Sequence, residues 1–370
     1  MVTQLVPLAT LEKSDKVLFI AHLALGDFTY LQNCFKAFSE AHPAVKIHIW
    51  VDEVRRTNNA ADWGYLKKYA LYDWLAECSF VEKVYTQTYS PALFQQSIVE
   101  AQQQNYGLVV SLSTLRLPMY AMLARKITSK GFVAGMKRPV GLLTFTQRLA
   151  YRKLDACLDP NSALQPGLHI SDVYAGWFQQ LFGIISTPSS RLPFVEIPAQ
   201  WRQQAKEQLQ LWGLERNVQK AGKLLFINPY AKNNKRCWPL ERVVDLVKAL
   251  DQNEAWRGAH VIVNVVPEEM VGAKQFFAKY SMRHVRLFSA EDNFFQLPAI
   301  LLDCDLIISV ETAVMHLANA VHIPVVALMR QKNPEWAPID KVHSTVITAS
   351  NRRDWVKAIT VGQVMAVMKN

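Results

Sequence analysis

The chain has no long apolar run. Its most hydrophobic stretches, such as residues 305–310 and 323–329, are of strand length and stop well short of the roughly 20 residues a membrane helix needs, so no span is expected. The segment Met1 to Lys16 has no basic flank leading into an apolar stretch with a small-residue cleavage site, so no secretory signal is read and a cytoplasmic location is expected. Cysteine is sparse and unpatterned. Cys34, Cys78, Cys157, Cys237 and Cys304 are odd in number and never form a C-x-x-C pair, which argues against a disulfide framework and against a zinc site. Neither a metal nor a cofactor is expected. The G-x-G-x-x-G signature is missing as well, which speaks against a dinucleotide-linked oxidoreductase. No basic stripe interleaved with aromatics and no reading helix is evident, so nucleic acid is not expected as a partner. There is no short-period repeat or low-complexity tract.

What is present is length, apolar content and positive charge. At 370 residues, half of them hydrophobic, the chain can build two domains, each with its own core. The formal net charge of +10 is distributed in doublets, Arg55-Arg56, Lys67-Lys68, Arg125-Lys126, Lys137-Arg138 and Arg352-Arg353. Such spacing suits an anionic partner, and for any one doublet a merely solvated basic surface is an equally good account.

Two stretches read as the opening strand of an α/β domain. The first, Lys16 to Ala21, leads through a Gly-containing turn into an amphipathic segment from Tyr30 to Ala41. The second, Lys223 to Asn228, leads through a polar loop and Trp238-Pro239 into an amphipathic segment ending at Leu250. Further strand-length apolar runs follow each: 45–51 and 107–112 after the first, and 260–266, 285–288, 305–309 and 324–328 after the second. Strands alternating with helices predict parallel sheets covered on both faces, hence two doubly wound, Rossmann-like domains with ligands at the carboxyl ends of the strands and in a cleft between them. The Pro- and Ser-containing stretch 185–193 lacks periodicity and is the expected hinge.

Three places carry candidate chemistry. In the first βα turn, Gly26 would permit a tight turn and Asp27 would stand where a general base is useful, although an acid there also serves as a helix cap. The loop from Asn228 to Pro239 sets Lys232, Lys235 and Arg236 beside a helix N-terminus, where cations oppose the dipole unless they serve an anion such as a phosphate. Glu311 and Thr312 mark a strand running into a helix, whose free N–H groups would face a diphosphate. His316, one turn into that helix, points at a ligand or fills the core.

These motifs in this order resemble glycosyltransferase family 9, the lipopolysaccharide heptosyltransferases, which have the GT-B fold. The resemblance extends over most of the chain, from the Gly26-Asp27 turn through the segment 169–178 to Asn228-Pro-Tyr, Lys235-Arg236-Cys-Trp238-Pro239, the run 311–318 and the run 324–328. It implies an acceptor-binding domain over 1–185, a nucleotide-sugar-binding domain over 186–350 and a C-terminal helix in 351–370 packing back on the first domain. By the same resemblance Asp27 is the catalytic base and Lys235 and Arg236 hold the donor diphosphate, with Lys232 of the same loop a further donor-binding candidate. Glu268 or Glu269 contacts the ribose, while Glu311, Thr312, Ala313 and His316 bracket the donor phosphates and sugar.

The implied reaction is metal-independent, inverting transfer of heptose from ADP-heptose to an anionic glycolipid, Kdo-lipid A or its heptosylated product. The implied place is the cytoplasmic face of the inner membrane, in peripheral contact with it. Arg55, Arg56, Lys67, Lys68, Arg116 and Lys137 would then meet the acceptor. Two departures are visible: the family's Asp-Thr-Gly is Glu311-Thr312-Ala313 here, and its lysine two residues before the tryptophan is Arg236. A transferase for another nucleotide sugar, or a non-catalytic sugar-nucleotide-binding protein, are the alternatives.

Overall fold

The structure, a computed structural model, describes residues 4–21, 23–141, 145, 147–160, 167–214, 222–280 and 282–368. It divides into two compact units, Met1–Arg191 and Leu192–Asn370. The division falls a few residues beyond 185/186 because the 3-10 turn Ser189–Arg191 belongs to the first unit, where Arg191 pairs with Asp172 at 2.8 Å.

The N-terminal unit carries strands β1 (Lys16–Ala21), β2 (Lys46–Val51), β3 (Val81–Tyr85), β4 (Leu108–Ser111), β5 (Phe132–Met136) and β6 (Ala156–Leu158). They form one parallel sheet in the order β3-β2-β1-β4-β5-β6. The sequence of β1, Lys-Val-Leu-Phe-Ile-Ala, is almost wholly apolar because both faces are covered, and Val17 through Ile20 have no exposed surface. Phe19 meets Phe35 of the helix Leu25–Ala41 at 5.0 Å and Phe178 of the helix Ile170–Phe182 at 5.8 Å. That aromatic cluster fixes both helices to one face of the sheet. Near the start of the unit, Leu5 and Val6 donate backbone hydrogen bonds to Gln180 and Leu181 at 2.8 and 2.9 Å.

The C-terminal unit repeats the plan with β7 (Leu224–Asn228), β8 (His260–Asn264), β9 (Val285–Phe288), β10 (Leu306–Val310), β11 (Val325–Met329) and β12 (Ser344–Thr348). Its parallel order is β12-β11-β10-β7-β8-β9. Counted from its own first strand, this is the same winding as in the N-terminal unit. In each, the direction of winding reverses beside the opening strand, between β1 and β4 and between β7 and β10. Ligands of open α/β sheets bind outside the carboxyl ends of the strands at such a reversal.

The helix Val361–Val367 packs in the core of the C-terminal unit. Val364 and Met368 are buried there, and the Trp256 indole N–H donates to the Met368 carbonyl at 3.2 Å. Trp238 does the same for the Ile359 carbonyl at 2.9 Å, joined by Arg242 at 2.6 Å. An apolar stripe of Val356, Ile359 and Val364 finds its nearest cover on the helix Leu240–Asp251, whose buried Val243, Val247 and Leu250 share that core.

Candidate active site

In the N-terminal unit the chain leaves β1 at Ala21 and enters the helix Leu25–Ala41 after a few residues, of which His22 lies outside the described residues. Gly26 therefore falls within the first helical turn, not in a separate tight turn. Asp27 is the third residue of that helix, half-buried, and its Oδ2 accepts the Ala24 N–H at 3.2 Å. Ala24 has no side chain to cap the helix, so the carboxylate supplies one of the missing acceptors and sits at the positive end of the helix dipole. Its Oδ1 accepts the Tyr174 O–H at 2.7 Å. Tyr69 lies alongside and donates to the Leu23 carbonyl at 2.7 Å. Burial first, and then the Asp27 charge, push both phenols above their ordinary range, so both remain neutral donors at physiological pH.

The basic residues of this unit fall into two groups. Arg55 is locked to Glu53 through two 2.7 Å bonds and lies 5.1 Å over the Tyr65 ring. Arg56 pairs with the buried Asp52, donates to the Thr88 carbonyl at 2.7 Å and stacks 3.5 Å over Phe94. Asp52 also accepts the Tyr120 O–H at 2.6 Å. By contrast, Lys67 stands 5.6 Å over Tyr89, and Lys68, Arg116 and Lys137 are exposed without an ion pair among the described residues. Arg116 caps the helix Leu117–Ile127 in a left-handed conformation, φ 51°, on the loop after β4. β4 is the sheet neighbour of β1, so Arg116 and Asp27 leave adjacent strands at the same edge, on the two sides of the reversal.

In the C-terminal unit the loop after β7 is closed by the Trp238 N–H on the Pro229 carbonyl at 2.8 Å and by the Ala231 N–H on Cys237 Sγ at 3.2 Å. Its 3-10 turn, Asn234–Arg236, presents Lys235, with Nζ 5.6 Å over the Trp355 ring; Lys232 is exposed. Arg236 is half-buried, and its Nε has no hydrogen-bond partner, a donor left over for an incoming acceptor. Asn228, the last residue of β7, donates to Ser309 Oγ at 3.0 Å and to Thr312 Oγ1 at 2.8 Å, and accepts from Asn264 at 2.9 Å. Thr312 caps the helix Ala313–Ala320, accepting the Val314 N–H at 3.4 Å. Three strands thus cooperate to aim one hydroxyl and one helix N-terminus at the carboxyl edge of the sheet.

Glu311 is not open in the way its motif position suggests. Its Oε2 accepts from Arg330 Nε at 2.7 Å, with the two side chains only 6% and 8% exposed, and Arg330 in turn lies 5.2 Å from the Trp355 ring centre. Arg330 and Trp355 were not singled out in the sequence. The signal for Arg330 was available: it immediately follows β11, and β11 pairs in register with β10, which ends just before Glu311. Trp355 lies beyond the last strand in a stretch with no periodic pattern, and nothing local marks it.

Ala313 opens the helix, and His316 is buried in it, 6.2 Å from the Trp336 ring. Glu268 and Glu269 are exposed in the 3-10 turn Pro267–Glu269 after β8. They are not equivalent. Burial, and next the charge of Glu269, push the Tyr230 phenol up to about 12. Among the described residues no three His, Cys, Asp or Glu side chains come together as a metal site, and no helix is long and apolar enough to cross a membrane.

Two doubly wound parallel sheets of identical winding, each with its polar residues gathered where the winding reverses, define the GT-B class of fold. Residues 187–358, a little under half of the chain, match the model of glycosyltransferase family 9 (heptosyltransferase). No curated protein matches the chain in sequence.

Solved structures share the fold over nearly the whole length. The family 9 glycosyl transferase from Veillonella parvula DSM 2008 superposes with a TM-score of 0.72 at 16% identity, covering 95% of each chain. The E. coli ADP-heptose lps heptosyltransferase II gives 0.67 at 16% identity, over 95% of this chain and 97% of that one. The E. coli heptosyltransferase WaaC with ADP gives 0.63 at 16% identity, over 96% and 97%.

Proposed function

We propose that this glycosyltransferase moves heptose from ADP-heptose to the phosphorylated inner core of lipopolysaccharide, Kdo-lipid A or its heptosylated product, with inversion. The carrying observation is the pairing of one oriented carboxylate, Asp27, at the reversal of the N-terminal sheet with a phosphate-type cradle at the reversal of the C-terminal sheet. The match to a family of heptosyltransferases supports the sugar, and a similar E. coli protein solved with ADP supports the nucleotide.

In this reading Asp27 takes the proton of the acceptor hydroxyl as its oxygen attacks the anomeric carbon, and the nucleotide diphosphate leaves with the bonding pair. Lys232, Lys235, Arg236, the Thr312 hydroxyl and the N–H groups opening the helix Ala313–Ala320 stabilise the charge on the leaving group. Glu269, whose charge acts on the Tyr230 phenol, is the choice of the two acids for the ribose. Lys67, Lys68, Arg116 and Lys137 receive the acceptor's phosphates. Arg55 and Arg56 hold the loop after β2 in shape through Glu53 and Asp52. The cation surplus also suits work at the anionic cytoplasmic face of the inner membrane.

The test is ADP release from ADP-heptose with a Kdo-lipid A acceptor, for wild type and Asp27→Ala. Release that collapses in the variant while donor affinity is kept supports the reading; no release by wild type would send the search to another acceptor or donor. A different nucleotide sugar is the second reading. It is favoured by the Cβ of Ala313 at the helix start and by the Glu311 carboxylate being engaged by Arg330. A thermal-shift panel of nucleotide sugars separates the two: stabilisation by another sugar and not by ADP-heptose selects the second.

A further inference from the structure

Tyr174 is not assigned any role by the motif positions considered so far. It lies in the second turn of the helix Ile170–Phe182, whose start is held twice over: His169 accepts the Ser171 N–H at 3.0 Å, and the Asp172 carboxylate accepts the His169 N–H at 2.9 Å. Asp172 is itself tied to Arg191 at 2.8 Å. At its other end the helix stops on Gly183 in the left-handed region, φ 73°, a conformation that glycine adopts without strain. Phe178 and Phe182, one and two turns on, pack into the aromatic cluster around Phe19. The phenol is therefore mounted on a rigid element. Tyr174 is 5% exposed, its ring lies 5.0 Å from Trp177, and its O–H donates to Asp27 Oδ1, across most of the sequence length of the unit.

We infer that Tyr174 is the positioning residue of the reaction: its O–H, with the Ala24 N–H on the other oxygen, fixes the plane of the Asp27 carboxylate and stabilises its charged form, so that Asp27 is ready to accept a proton. This rests on the reading of Asp27 as the base. Burial and the neighbouring Asp27 charge keep the phenol neutral, so it donates at every pH at which the enzyme works. A hydrogen bond to the charged form favours that form, and losing the donor makes Asp27 hold a proton to higher pH.

The test has two readouts. The first is the pH dependence of kcat and kcat/KM for ADP release by wild type and Tyr174→Phe. The variant keeps the ring and is expected to lose activity mainly on the acid side, with the acid limb moved up by about one pH unit, as for loss of one hydrogen bond to a charged group. The KM for the donor is expected to stay within about twofold, because the donor is bound elsewhere. The second readout needs no substrate: the 13C carboxyl signal of Asp27, identified by its loss in Asp27→Asn, is expected to titrate at higher pH in Tyr174→Phe.

Replacement of Tyr174 by 3-fluorotyrosine, a stronger donor, is expected to move both readouts the opposite way, and it stands in if the phenylalanine variant does not fold. Superimposable profiles and titrations, or a loss of kcat equal at all pH values, would overturn the assignment and leave Tyr174 a packing residue. If wild type releases no ADP from ADP-heptose, the proposed substrates fail while the carboxyl titration still decides the role of Tyr174.

Discussion

The two units wind their strands identically and yet furnish the reversal of the sheet with opposite chemistry. In the N-terminal unit a few residues separate β1 from its helix, and the group that results is a carboxylate steadied by a phenol. In the C-terminal unit the corresponding connection is a long loop stapled by Trp238, and it brings cations, an unpartnered guanidinium Nε and a hydroxyl steadied by amides. A short connection leaves only the helix's own first turn at the sheet edge, so the acid that suits the positive helix end is what remains there. A long connection can carry cations against that dipole, provided an anion compensates. In the proposed reaction the same scaffold takes a proton in one half and receives negative charge in the other.

The comparison can be broken most severely at its two centres. Asp27→Ala is expected to lower kcat by roughly 10²–10⁴-fold, the usual contribution of a positioned base, with donor affinity measured by calorimetry unchanged. If kcat falls less than tenfold, the N-terminal carboxylate is not the base. Arg330→Ala leaves Glu311 buried without its partner and is expected to cost about 3–5 kcal/mol in denaturant unfolding, confined to the C-terminal unit. Glu311→Gln with Arg330→Met together should restore much of that, since the pair is then replaced by groups without charge.

Smaller effects sharpen the contrast. Thr312→Val removes a hydroxyl and a helix cap and is expected to cost about 1 kcal/mol of stability, together with a several-fold weaker donor measured by titration calorimetry. Lys68→Ala is expected to weaken the acceptor with little change in melting. Arg56→Ala should instead lower the melting temperature, because the buried Asp52 loses its guanidinium and keeps only the Tyr120 O–H, and an equal effect of the two on acceptor KM would count against separating free from committed cations.

Alkaline pH should also tell the halves apart. Tyr69, Tyr72, Tyr85, Tyr106, Tyr120 and Tyr174 are raised by burial first, all in the N-terminal unit, whereas Tyr230 alone is so raised among the described residues of the C-terminal unit. Above about pH 10 an unfolded chain ionises its tyrosines while the folded unit holds them neutral, so stability is complete below that value and falls as pH rises further. Hydrogen exchange resolved by peptide, run from pH 9 to 11, is expected to show the N-terminal unit opening first.

The fold was legible wherever a strand is buried on both faces. β1, β2, β4, β7, β8, β10 and β11 read directly as apolar runs, and β9 as a shorter one. The strands missed have physical excuses: β3 is a half-exposed edge strand with Glu82 and Lys83, β5 contains Gly135, β6 has three residues, and β12 is an edge strand of Ser and Thr. At the candidate site, sequence pointed to residues that sit on loops beside their strands, such as Asp27, Lys235 and Thr312. It gave Tyr174 no role of its own within the segment 169–178 and did not point to Trp355, because their contacts join positions far apart in the chain, and Arg330 could be inferred only from the pairing of β11 with β10. Nor could it say that Arg55 and Arg56 would be spoken for by Glu53 and Asp52, because a charge doublet reads the same whether or not acids fold over it.

The way each unit ties its ends has a bearing on how the chain emerges during synthesis. The N-terminal unit fastens Leu5 and Val6 to Gln180 and Leu181, so every partner it needs has been made by the time the ribosome reaches the second unit. The C-terminal unit holds Ile359 and Met368 under tryptophan N–H groups and cannot complete its core until both residues have emerged. A ribosome halted before Ile359 would therefore carry one finished unit and one still exposing Trp238 and Trp256.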